Sequence, residues 1–109
     1  GFEAVKAEYE ALAKANENSW RILFSIANVF SYNEYFKEAI QMWQKTFDCM
    51  PKPRYTDSFE AMAQCCVRMG DHESAVEYYK KELELLREDW GLKYGAEVDA
   101  LEEKIRALQ

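Results

Sequence analysis

Leu23-Phe24-Ser25-Ile26-Ala27-Asn28-Val29-Phe30 and Phe59-Glu60-Ala61-Met62-Ala63-Gln64-Cys65-Cys66 lie 36 residues apart, and their comparison decides the fold. Leu23, Ile26, Ala27 and Phe30 sit at i, i+3, i+4 and i+7, the stripe of an amphipathic helix. Phe59, Met62, Ala63 and Cys66 repeat that stripe one period later. A second set keeps nearly the same step: Glu3-Ala4-Val5, Glu38-Ala39-Ile40 and Ser74-Ala75-Val76. Two interleaved sets sharing one period make the chain a repeat array of helices. Helices that approach closely need small side chains at the crossing, and the recurring alanines supply them.

Six helical segments follow from the punctuation: 3–15, 19–32, 35–49, 57–69, 72–89 and 96–108. Asn16 to Ser19 form a polar break, with Ser19 or Asn18 as the next N-cap. Asn33-Glu34 make a tight turn. Pro51 and Pro53 bar the third helix from continuing. Thr56 or Asp57 starts the fourth, Glu60 standing three after Asp57 in a capping-box arrangement. Gly70 supplies a left-handed exit, Asp71 caps the fifth helix, and Trp90-Gly91 interrupts it. Val98, Leu101, Ile105 and Leu108 give the last segment its apolar stripe.

The composition agrees with an all-α chain. In 109 residues there are four Gly and two Pro, too few for a many-stranded sheet. Hydrophobic content of 49% excludes an unfolded, charge-swollen chain. A net charge of −6 disfavours direct binding to nucleic acid, which needs clustered positive charge. No apolar run reaches membrane-spanning length, and the N-terminus lacks a secretory pattern. Cys49, Cys65 and Cys66 read as free thiols, buried or half-buried, so the cytoplasm is the expected compartment. They form no metal-ligand cluster with the single His72, so neither a metal nor another cofactor is expected.

Chemistry finds no foothold in the sequence. No Gly-rich phosphate loop, nucleophile elbow or zinc-protease motif is present. His72 stands beside Asp71 and Glu73 as a solvated turn residue. Glu82, Glu84, Glu88 and Asp89, interleaved with Lys80, Lys81 and Arg87, read as a solvated helix face with pairs such as Glu77 to Lys81. The chain is not expected to be an enzyme.

The residues quoted above resemble the tetratricopeptide repeat (TPR) family. Leu23, Ile26, Ala27, Phe30, Ala39, Trp43 and Pro51 match one unit, residues 18–53. Phe59, Met62, Ala63, Cys66, Gly70, Ala75 and Tyr79 match the next, 54–91. Residues 1–17 resemble the second helix of a preceding unit, and 95–109 a terminal helix, all within one domain. The resemblance implies an α-solenoid of antiparallel helix pairs, a right-handed superhelix whose concave groove binds a peptide or helix of a partner protein. Three departures stand out: Glu82 occupies a usually small position, Glu8 one often aromatic, and Ala27 and Ala63 replace the usual glycine.

Carried over by position, Arg21, Phe24, Asn28, Ser31 and Tyr32 would face the groove from the second helix. Asp57, Glu60, Gln64, Val67 and Arg68 would face it from the fourth. Phe24 and Tyr32 are the candidate anchors, unless they simply pack against neighbouring helices. The family's carboxylate clamp for chaperone tails is not expected, because Phe24, Ala61, Ala96 and Ala100 stand where its polar side chains belong and only Asn28 matches. Two further readings stay open. One is a C-terminal dimerisation or peptide-sensing domain of a bacterial helix-turn-helix regulator. The other is a homodimer through Val5, Ala11 and Leu12, which lack a partner helix.

Overall fold

The computed structural model describes all residues, 1–109, and is built of helices without strands. After a short 3-10 turn at Phe2–Ala4 come α1 (Lys6–Ala15), α2 (Trp20–Tyr32), α3 (Phe36–Cys49), α4 (Asp57–Arg68), α5 (His72–Trp90) and α6 (Ala96–Leu108). The chain divides into two units, Gly1–Met50 and Pro51–Gln109.

In the first unit, α2 packs against α3 and α1 against α2. Ser19 caps α2, its hydroxyl accepting from the Ile22 amide at 3.4 Å. The helix ends through a non-glycine residue in the left-handed region, Glu34 at φ 67°. The Tyr35 amide then donates to the Phe30 carbonyl at 2.9 Å, closing orphaned carbonyls of the last turn. Leu23, Ile26, Ala27 and Phe30 are all buried, with Ala39 and Trp43 facing the same core. The residues 3–15 expected as one helix are instead a 3-10 turn followed by α1, with Val5 between them. This break turns Phe2 against Phe30 and Tyr35, at ring-centroid distances of 5.2 and 5.3 Å. Ala4 is consequently exposed, unlike its counterparts Ala39 and Ala75.

In the second unit, α4 packs against α5 and α5 against α6. Gly70, at φ 79°, ends α4 in a Schellman arrangement. The Asp71 amide donates to the Cys66 carbonyl at 2.8 Å and the Gly70 amide to Val67 at 3.0 Å. Asp71 caps α5 by accepting from the Ser74 amide, and these hydrogen bonds hold its carboxyl below the usual range. The capping box expected from Asp57 and Glu60 does not form. Thr56 is the N-cap of α4 and makes no side-chain cap bond, and Glu60 turns instead to Lys104. Met62, Ala63, Cys66, Ala75 and Tyr79 form the core, and Val98, Leu101 and Ile105 bury α6 against it.

The repeat is visible inside each unit. Ala27 and Ala39 in one, Ala63 and Ala75 in the other, are 0% exposed. Filling those contacts should overpack them. Ala39→Leu and Ala75→Leu are expected to cost about 1–3 kcal/mol each, whereas Ala4→Leu should stay within about 0.5 kcal/mol, read by urea unfolding. Glu34 and Gly70, also 36 apart, occupy equivalent left-handed exits. Glu34→Gly should therefore stabilise, and Gly70→Ala destabilise, by about 1 kcal/mol each in the same assay.

Candidate functional site

Arg21, Phe24, Asn28 and Tyr32 lie along one side of α2 in the first unit. Tyr32 is 85% exposed, the most open of the large hydrophobic side chains. Arg21 is exposed with its guanidinium 4.7 Å from the Trp20 ring centroid, and Asn28 is exposed. Phe24 is half-buried and inclined to Trp43, with ring centroids 6.2 Å apart. Part of the Phe24 surface is therefore packing area shared with α3, which narrows its role as an anchor. Val5, just before α1, and Ala11 and Leu12 on it are exposed, and Val5, Glu8, Tyr9 and Leu12 line a shallow cavity of about 210 Å³.

Glu60, Gln64 and Arg68 belong to α4 of the second unit. Two of them come together: Gln64 donates to the Glu60 carboxylate at 3.4 Å. The same carboxylate pairs with Lys104 of α6, also at 3.4 Å. Both partners of that pair are some two-fifths exposed, so it orients more than it stabilises. Lys104 also stands over the Tyr79 ring, 5.6 Å from its centroid. Arg68 and Gln64 are exposed.

The acidic face of α5 is not uniformly solvated. Glu82 is 4% exposed, and its Oε1 has no hydrogen-bond partner in the protein. Burial pushes its carboxyl up to about 7, reinforced by Glu60, Glu97 and Asp57 and opposed by Lys104. It occupies the position that Thr46 holds 36 residues earlier. Thr46, fully buried, donates its hydroxyl to the Trp43 carbonyl at 2.5 Å, an outlet closed to an ionised carboxylate, which has no proton to donate.

Asp89 also departs from the solvated reading. It receives two hydrogen bonds from the Arg54 guanidinium, at 2.8 and 3.0 Å, and a third from the Arg54 amide at 2.9 Å. Its side chain is 2% exposed, and Arg54 holds its carboxyl down at about 2. One residue on, the Trp90 indole N–H donates to the Arg54 carbonyl at 2.6 Å. The last turn of α5 thus clamps the segment that precedes α4. Sequence spacing gives no hint of this contact, because its partners are 35 and 36 residues apart. Lys81, expected to pair with Glu77, lies instead over the Tyr78 ring.

Burial raises the thiols of two of the three cysteines, Cys49 and Cys66. Cys65 and Cys66 are buried and Cys49 half-buried, all as free thiols. Burial, with Asp71 and Cys65 nearby, pushes the Cys66 thiol up to about 11, which disfavours its thiolate. His72 is the exposed first residue of α5. No group of three His, Cys, Asp or Glu side chains is placed to hold a metal ion. No helix is long and apolar enough to cross a membrane.

Glu82 makes the second unit sensitive to pH. With its carboxyl raised from 4.5 to about 7, the folded chain binds that proton more tightly than the unfolded one. The stability contributed is complete below about 4.5 and is lost as pH rises through about 7. Glu82→Gln should gain on the order of 2 kcal/mol at pH of about 8 and little at about 4.5. Urea unfolding across that window checks it, and parallel curves for both proteins would refute it.

No protein-family model and no curated protein matches this chain.

Proposed function

We propose that the chain is a non-catalytic, tetratricopeptide-like interaction module that binds a peptide or helix of a partner protein. In this reading the helix pairs are antiparallel, with α2 of the first unit and α4 of the second each presenting a recognition face. The observation that carries it is the burial of four alanines at matched positions. Ala27 and Ala39 in the first unit, and Ala63 and Ala75 in the second, are all 0% exposed. Small residues at these points let helices pack closely, and helices built this way stack as repeats because one pair cannot bury both faces.

Recognition falls to side chains left over from packing. Tyr32 offers a large exposed ring, and Arg21, Asn28, Gln64 and Arg68 are exposed polar groups suited to a peptide backbone or its charges. Phe24 contributes the part of its ring that Trp43 leaves open, and Glu60 the carboxylate already shared by Gln64 and Lys104.

Selection of a displayed random-peptide library on the immobilised chain tests the reading. Enriched peptides should bind Tyr32→Ala and Gln64→Ala at least about fivefold more weakly, with melting temperatures nearly unchanged. Phe24→Ala should also weaken binding, but at a cost of about 1–2 kcal/mol in stability from its Trp43 contact. Peptides that bind all three variants as well as the parent, or a library that yields none, would contradict the reading.

A further inference from the structure

The end of α5, the start of α4 and the start of α6 line a half-open cavity of about 390 Å³ within the second unit. Leu86 and Leu92 give it apolar walls, and Tyr55 and Trp90 line it as well. These two rings have centroids 6.3 Å apart at an interplanar angle of 38°. Each keeps about half its surface exposed, 47% for Tyr55 and 48% for Trp90. Asp57 and Glu97, from the first turns of α4 and α6, put two carboxylates on the same lining. No Lys or Arg side chain lines the cavity.

The aromatic wall is fixed in advance. The Trp90 indole is tethered to the Arg54 carbonyl, and Arg54 is held by three hydrogen bonds to Asp89. Ordering these groups is therefore part of folding and is not charged to a ligand. Ring faces carry negative potential, and carboxylates add full charge to it. Asp57 and Glu97 also act on Glu82 together with Glu60, and Lys104 opposes them. Pockets of this size with apolar walls and a few convergent polar groups suit small organic ligands.

We infer that the cavity bounded by Tyr55, Trp90, Asp57 and Glu97 is a binding site for an organic cation, an ammonium or guanidinium group on an apolar stem. The stem lies against Leu86 and Leu92, the cationic head meets the ring faces, and the two carboxylates neutralise it. A basic side chain of a partner chain and a free amine or guanidine share this chemistry. The site belongs to the second unit alone and does not depend on the peptide-binding reading.

The test follows the indole N–H resonances of the full 109-residue chain during titration with butylguanidinium and butylammonium chloride. Sodium butyrate and sodium chloride serve as controls. Trp90 should shift saturably with Kd on the order of 1 mM for both cations, while the buried Trp43 resonance stays in place. Asp57→Asn and Glu97→Gln should each weaken binding roughly fivefold. Both residues are exposed, so these variants keep the fold, and Tyr55→Ala gives a third, uncharged check. Tighter binding of a blocked Gly-Arg-Gly peptide than of butylguanidinium assigns the cation to a partner chain. Equal or weaker peptide binding assigns it to a free small cation, and either result supports the site. A non-saturating shift, an equal response to butyrate or sodium chloride, or affinity unchanged in all three variants would overturn it.

Discussion

The close approach of helix to helix at four alanines constrains everything else in this chain. With Ala27 and Ala39 in the first unit and Ala63 and Ala75 in the second at 0% exposure, the larger residues beside them must fill what remains. Phe30 and Trp43 do so in one unit, Cys66 and Tyr79 in the other, all at 5% exposure or less. The exchange of two large aromatics for a thiol and a tyrosine leaves the second core with less bulk at those positions. Its α5 is longer, and α6 adds Val98, Leu101 and Ile105. One packing rule thus holds in both units while the filling differs.

Most of the helical layout was legible because it is written in local signals. The stripe at i, i+3, i+4 and i+7 is buried throughout in α2 and at three of four positions in α4, where Phe59 is half-buried, and the Ser19 and Asp71 caps and the Gly70 exit formed as expected. What escaped was either non-local or locally ambiguous. Arg54 and Asp89 meet across 35 residues, and no periodic pattern encodes a single ion pair. Glu82 sits in a charge-rich helix and looks solvated there, although its 36-residue counterpart Thr46 pointed to a buried position. Glu34 adopts a conformation that residue type argues against, and again the counterpart Gly70 was the available clue. Asp57 and Glu60 had capping-box spacing, yet Lys104 from a helix 44 residues on competes for the Glu60 carboxylate.

The candidate site was less legible than the fold. Residue types along α2 and α4 could be placed on a face, but not graded. Phe24 and Tyr32 are both aromatic, yet one leans on Trp43 and the other stands 85% exposed. In the second unit the acidic residues divide by environment. Asp89 is stabilised as a carboxylate by Arg54, Glu82 is driven toward its neutral form by burial, and Asp57 and Glu97 remain at the surface beside two aromatic rings. A run of charges in sequence is therefore an anchor, a buried acid and a cavity rim in space.

Solvent paramagnetic relaxation of the alanine methyl resonances addresses the alanine packing most directly. A soluble relaxation agent should broaden Ala4, Ala11 and Ala96, which are exposed, and leave Ala27, Ala39, Ala63 and Ala75 sharp. Broadening at any of those four to the level of Ala4 would contradict the account.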